Sequence, residues 1–371
     1  MRRITAAVVE SKDGPFALEE VEIDEPRPDE LLVKIAAVGM CHTDLSVRSQ
    51  ATPFPLPGVL GHEGVGVVDQ LGAQVSEFRV GDKVVLSFDS CGSCPPCQAG
   101  KVVYCRQWIP LNLLGGSRSD GTAVVRRASG DLHGHFFGQS SFATHALVSA
   151  RSAVKVDDEG DLAQLAPLGC SVQTGAGAVL NVARPEPGTT IVVFGAGGVG
   201  LVAVMAAAML TPVAQVIAVD VNAARLDLAA ELGATATVNP SDTDPVSALL
   251  ELTGGLGAQY AVETSGRLAV LDQAISSLAS AGTCVVVGAP PFGSRIPVDV
   301  PNLLGRGIRL VGTNQGDSNP RQFIPRLVAL HRQGRLPFDK LIRSYAFEQI
   351  NVAAQDAAEA RTIKPVLRLL S

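Results

Sequence analysis

Cys91, Cys94, Cys97 and Cys105 are spaced C-x2-C-x2-C-x7-C, close enough for one loop to present four sulfurs to a single centre. Four thiolates at this spacing can close a tetrahedron around Zn²⁺, the structural kind of site. Two further cysteines are dispersed. Cys41 precedes His62 by 21 residues, in GMCHTD and GHEGVG, and Cys170 lies far downstream in APLGCSVQTG. Two thiolates and one imidazole leave a fourth position for water or substrate, the catalytic kind of site. Cys284, in TCVVVGAP, reads as a small buried hydrophobe. Disulfides are the competing reading of the cysteines. The N-terminal MRRITAAVVESKDG has only a short apolar stretch, broken by Glu10 and Lys12, unlike a secretory signal. Without an oxidising compartment, clustered cysteines are metal ligands, and a cytoplasmic enzyme is expected.

A chain of 371 residues is long for one core, so two domains are expected. The net charge of −6 argues against nucleic acid or an anionic membrane as partner. Residues 191–210 carry no charge and are long enough to span a bilayer. Their order argues otherwise: a β-branched IVVF, a glycine turn GAGGVG, then LVAVMAAAML. A buried parallel strand, a turn and a buried helix have the same hydropathy.

Up to about residue 170, short runs such as LLVKIAAVG, GVGVVDQLG and DKVVLSF predict strands separated by loops. Beyond Gln173, strands alternate with helices, as in TTIVVF, GGVGLVAVMAAAML, AQVIAVDV and NAARLDLAAELG. That alternation predicts βαβ units and a parallel sheet. RLAVLDQAISSLASAG reads as one helix before the strand TCVVVG, and the final KPVLRLL as a strand returning to the first part.

Gly195, Gly197 and Gly200 form G-x-G-x-x-G between a strand and a helix, and Gly198 and Val199 complete the turn. Asp220 ends the next strand, 20 residues after Gly200. The glycines permit a tight turn, approach of a pyrophosphate to the backbone, and close helix–strand packing. The helix N-terminus offers free N–H groups to the phosphates. Asp220 would accept bonds from the ribose hydroxyls and repel a 2′-phosphate, so NAD is expected over NADP.

Cys41-His42-Thr43-Asp44, the run Gly61 to Gly66, the four-cysteine loop, Cys170 and GAGGVG, in this order, resemble the zinc-dependent alcohol dehydrogenases of the medium-chain dehydrogenase/reductase superfamily. HFFGQSSFATHALV and LAPLGCSVQTGAGAVLN are most similar to the aryl (benzyl) alcohol dehydrogenases and their geraniol-type relatives. The resemblance covers essentially the whole chain. It implies an α/β protein: a GroES-like β-rich catalytic domain (1–172 and 314–371) and a doubly wound Rossmann domain (173–313), with the active site in the cleft.

It further implies two zinc ions per subunit, a homodimer or homotetramer, and a small alcohol or aldehyde substrate. Cys41, His62 and Cys170 would be catalytic zinc ligands, with Glu63 coordinating transiently and Asp44 orienting His62. Thr43 would bond the substrate oxygen. His42 and Lys364 would contact the cofactor phosphates, Arg225 the adenosine ribose, and Thr174 and Val199 the nicotinamide. Many members carry a histidine, the end of a proton relay, where this chain has Ser46. Phe88, Phe136 and Phe137 occupy positions that line the alcohol cleft in the family. In a chain with 4% aromatic residues, they suggest an apolar slot for aromatic or allylic primary alcohols. The alternatives are a general short-chain alcohol dehydrogenase, a thiol-dependent formaldehyde dehydrogenase, and a non-catalytic zinc- and NAD-binding scaffold. The joint survival of ligands, relay hydroxyl and nucleotide fingerprint argues against the last.

Overall fold

A computed structural model describes residues 1–157 and 160–369. The chain divides into two compact units. The first comprises the chain up to Cys170, Asn319–Ala329 and the chain from Asp339; the second comprises Ser171–Ser318 and Leu330–Phe338. The break falls after Cys170 rather than after residue 172, and residues 314–318 and Leu330–Phe338, expected in the first domain, fall in the second unit. Close packing explains the first boundary. A Cβ at Gly175 would lie 2.3 Å from the Val199 carbonyl, and one at Gly177 2.2 Å from the Gly316 carbonyl. The helix Ser171–Gly177 therefore packs within the second unit.

The first unit holds two sheets. The larger is organised on Glu30–Gly39, which pairs with Glu63–Leu71, His145–Ser149 and the returning Lys364–Arg368, all antiparallel. Paired on several sides, that strand is apolar along most of its length: Leu31, Leu32, Val33, Ile35 and Val38 are all buried. Its pairing sets the metal-type site. Gly39 lies opposite Glu63, and a Cβ on Gly39 would be 2.1 Å from Glu63 Oε2, so only glycine leaves room for that carboxylate. One element departs from the strand-and-loop expectation here: His42–Arg48 is a helix, and its first turn carries His42, Thr43 and Asp44.

In the second unit six parallel strands run in the order Ala236–Val238, Gln215–Val219, Thr190–Phe194, Ala258–Glu263, Leu278–Val286, Arg309–Gly312. The chain leaves the first of these in sequence, Thr190–Phe194, in opposite directions along the sheet, so the glycine turn after Phe194 sits at the switch point. The expected helix through residue 282 stops at Ser276, and the strand begins at Leu278, which pairs with Ala258. A register shift then interrupts the pairing of these two strands, and Ala281 is left-handed at φ 60°. The uncharged 191–210 stretch splits into strand, turn and helix, and no helix of the described residues is long and apolar enough to cross a membrane.

Candidate active site and metal centres

Cys41, His62, Glu63 and Cys170 each place one donor atom within 4.8 Å of the others. Three elements bring them together. Cys41 caps the helix His42–Arg48, His62 directly precedes the strand that Glu63 opens, and Cys170 follows the turn Leu162–Gly169. Asp44, fully buried, organises the group: its carboxylate accepts from the backbone N–H of Cys41 (2.8 Å) and Gly61 (3.0 Å) and lies 3.1 Å from His62 Nδ1. With Nδ1 committed, His62 Nε2 is left buried without a hydrogen-bond partner among the described residues. An orphaned imidazole nitrogen facing two sulfurs is costly unless a cation takes it, and the donor set suits Zn²⁺.

The electrostatics agree. The Cys41 thiol is held well below its usual value by a hydrogen bond from Cys170, against burial, with help from the charges of Lys364 and His62. Burial opposes the His62 imidazolium, but the Asp44 carboxylate overcomes it and raises the metal-free group to about 10. Both effects favour a thiolate beside positive charge, the condition that a metal would satisfy.

Lys364 is engaged within the first unit. It is buried, with Nζ 2.9 and 3.0 Å from the two Glu63 oxygens and donating to the Met40 carbonyl at 3.2 Å. Its ammonium is consumed inside the first unit because a buried carboxylate needs a counter-charge. Thr43 Oγ1 lies 3.8 Å from Cys41 Sγ. His42 is exposed at the start of the helix. The Ser46 hydroxyl pairs with Thr52 Oγ1 at 2.8 Å.

Phe88, Phe136 and Phe137 all belong to the buried core. Two of them also wall His62: Phe137 stacks on its ring at 4.5 Å, and Phe136 meets it edge-on at 5.3 Å. Phe54 and Trp108 extend the aromatic group from outside. Trp108 was not legible as a site residue, because only the fold brings it to Phe137.

The four-cysteine loop is a second centre. Its sulfurs lie within 4.8 Å of one another, and all seven cysteines are free thiols. Backbone N–H groups of Cys91, Cys94 and Gln107 point at sulfurs at 3.3–3.4 Å. The Ser93 N–H is foremost in lowering Cys91 to about 6, whereas burial pushes Cys97 to about 12. Four sulfurs without a cation would not share so small a volume as thiolates; with Zn²⁺ they would.

In the second unit, Gly195 is left-handed at φ 93°, and a Cβ at Gly200 would lie 1.7 Å from the Gly195 carbonyl. A Cβ at Gly197 would meet nothing within 4 Å, so the backbone there stands open beside the N-terminus of the helix Gly198–Leu210. That is the opening a pyrophosphate needs. Asp220 also holds the turn itself, accepting from the N–H of Ala196 at 2.6 Å and of Asn222 at 2.9 Å. Thr264, absent from the residues expected at the site, puts its hydroxyl 2.9 and 3.0 Å from the carbonyls of Phe194 and Gly195. Its place directly after the strand Ala258–Glu263 is the signal that could have found it. Val199 lies half-buried in the helix, Arg225 keeps Nε without a partner among the described residues, and the Thr174 hydroxyl donates to Gln315 at 3.2 Å.

Comparison with known proteins agrees with this geometry. The family model for the alcohol dehydrogenase GroES-like domain matches residues 27–158, and that for the zinc-binding dehydrogenase matches residues 198–330. The chain is 44% identical to a geraniol dehydrogenase of Castellaniella defragrans, over 98% of this chain and 96% of that protein. Two solved structures match over the full length of both chains at a TM-score of 0.96. One is an alcohol dehydrogenase zinc-binding domain protein from Burkholderia ambifaria, at 50% identity. The other is the benzyl alcohol dehydrogenase of Acinetobacter calcoaceticus, at 43% identity.

Proposed function

The chain belongs to the zinc-dependent alcohol dehydrogenases of the medium-chain family, and from that premise we propose that it oxidises primary allylic and aromatic alcohols to aldehydes with NAD. The observation that carries the reading is His62, whose unpartnered Nε2 faces two cysteines while Phe136 and Phe137 wall its ring. Cys41, His62 and Cys170 would hold Zn²⁺, which would supply Lewis-acid stabilisation of an alcohol oxygen. NAD held at the glycine turn supplies the hydride acceptor. Asp44 fixes the tautomer and direction of His62. Thr43 would take the hydroxyl proton and pass it outward, with Ser46 standing where a histidine would otherwise end the relay. Lys364 neutralises Glu63, which keeps a second negative group at the site without an unpaired buried charge. A second Zn²⁺ is assigned to the four-cysteine loop.

Asp220 supports NAD over NADP: a carboxylate at the end of the second strand favours ribose hydroxyls and repels a phosphate. Clustering of the four loop sulfurs as a metal-type group supports a reducing, cytoplasmic compartment. Self-association is supported by the second unit's edge. The strand Arg309–Gly312 ends its sheet and is exposed along its length, beside a helix whose Leu304 is 77% exposed. Such an edge invites pairing with a second copy.

The test is steady-state kinetics with benzyl, cinnamyl and geranyl alcohols against ethanol, with NAD and with NADP. Burying about 100 Å² more apolar substrate surface at ~25 cal/mol per Å² amounts to ~2.5 kcal/mol, or about 70-fold in kcat/KM. Equal kcat/KM for ethanol and benzyl alcohol would sink the substrate assignment. Thiol-stimulated turnover of formaldehyde would replace it with a formaldehyde dehydrogenase.

A further inference from the structure

Trp108 is the single tryptophan of the chain, and it stands between the two cysteine centres. On one side it is tied to the four-cysteine loop. Its backbone N–H donates to the Cys105 carbonyl at 2.9 Å, while the N–H of the preceding Gln107 points at Cys105 Sγ at 3.3 Å. On the other side its ring stands perpendicular to Phe137 at 5.6 Å, and Phe137 stacks on His62 at 4.5 Å. A ligand of one centre is thus linked to a ligand of the other through two aromatic rings.

Three further observations indicate that this arrangement is held in place. Phe137 adopts φ 51°, ψ 33°, a left-handed conformation rare for a bulky residue. Such a backbone persists only where its surroundings over-determine it. The next residue, Gly138, is also left-handed, and a Cβ there would lie 2.6 Å from that of Asp89. Asn112, buried, locks Asp89 to the same loop: it donates to the carbonyls of Trp108 (2.7 Å) and Asp89 (2.9 Å) and accepts from the Asp89 N–H at 2.8 Å.

We infer that Trp108 is a positioning residue: through Phe137 it carries the geometry of the four-cysteine loop to His62, so that metal in the loop sets the aromatic wall of the alcohol site. The inference rests on reading both centres as metal sites.

The test uses the full chain with Zn²⁺ in the four-cysteine loop and Co²⁺ at Cys41–His62–Cys170, because cobalt's visible bands report ligand geometry without turnover. Trp108→Leu shifts those bands and raises KM for benzyl alcohol about 2- to 12-fold, the loss of one aromatic pair, while kcat changes less. Trp108→Phe, which keeps a ring edge, restores both. In His62→Ala, which leaves the loop as the only complete centre, adding Zn²⁺ to metal-free protein shifts the tryptophan emission. Unmoved cobalt bands in Trp108→Leu, a Trp108→Phe variant as altered as Trp108→Leu, or an emission blind to zinc in His62→Ala overturns the inference. A protein that fails to oxidise benzyl alcohol sinks the substrate reading, while the cobalt bands and the emission still decide this one.

Discussion

The two cysteine centres solve the same problem in opposite ways. The four-cysteine loop draws its ligands from residues 91–105 and lines its sulfurs with its own backbone N–H groups. The Cys41–His62–Cys170 centre draws on a helix cap, a strand start and a turn as far apart as residues 41 and 170, and its support is the Asp44 carboxylate from the helix that Cys41 caps and the Lys364 ammonium from the returning strand. A local site closes a short loop at small entropic cost and depends little on the rest of the fold. A dispersed site exists only after the sheet has formed. It can therefore hold an open coordination position, because rigid elements rather than ligand count keep its geometry.

The comparison predicts that damage to the two centres separates into chemistry and stability. The largest effect is on the dispersed site. His62→Ala or Cys170→Ser should lower kcat/KM by about three orders of magnitude, roughly 4 kcal/mol of lost transition-state stabilisation. The melting temperature should move by only a few degrees, read by calorimetry on the same samples. A variant that loses activity and fold together would erase the distinction.

Next comes Cys94→Ser. Three thiolates would hold a zinc ion in the loop poorly, and the expected loss is about 3 kcal/mol of stability. Activity per folded molecule should fall far less, checked by kinetics normalised to circular dichroism. Asp44→Asn should weaken metal at the dispersed site alone, by about 10- to 100-fold, since Asp44 orients His62 but touches no residue of the loop. Chelator competition with zinc counted per subunit measures it; equal loss from both centres would show that they are not independent.

The smallest effect tests the second unit. Asp220→Ala removes the negative charge expected to exclude NADP, and it also removes the bonds to the N–H groups of Ala196 and Asn222. NAD affinity should fall by roughly 1–2 kcal/mol while NADP affinity changes less, read by titration of each nucleotide. The zinc content of both centres should not change.

Most of the architecture is legible in the order of residues along the chain. The switch from short strands to alternating strands and helices marks the passage into the second unit, and the glycine turn appears where strand meets helix. These are local signals, because hydrophobic period and turn chemistry act over a few residues. The early end of the helix at Ser276 is not legible, because residues 277–282 keep a plausible helical composition. Pairing of Leu278 with Ala258 overrides it.

The candidate site divides along the same line. Its candidate ligands are written in residue type and order: two thiolates and an imidazole for one proposed centre, four spaced thiolates for the other, glycines and an acid for the proposed nucleotide site. Side-chain partnership is not. Lys364 reads as a phosphate contact until the returning strand buries it against Glu63, and Asp220 reads as a ribose acceptor until the turn bonds to it as well. Phe137 could be pocket or core, and it is a buried ring stacked on His62. Residue type determines which chemistry a chain can perform, because ligand softness, charge and ring shape belong to the side chain alone. Which group neutralises, orients or shields another was left to the tertiary structure, because those interactions fall off within a few ångströms and join residues that the chain itself keeps hundreds of positions apart.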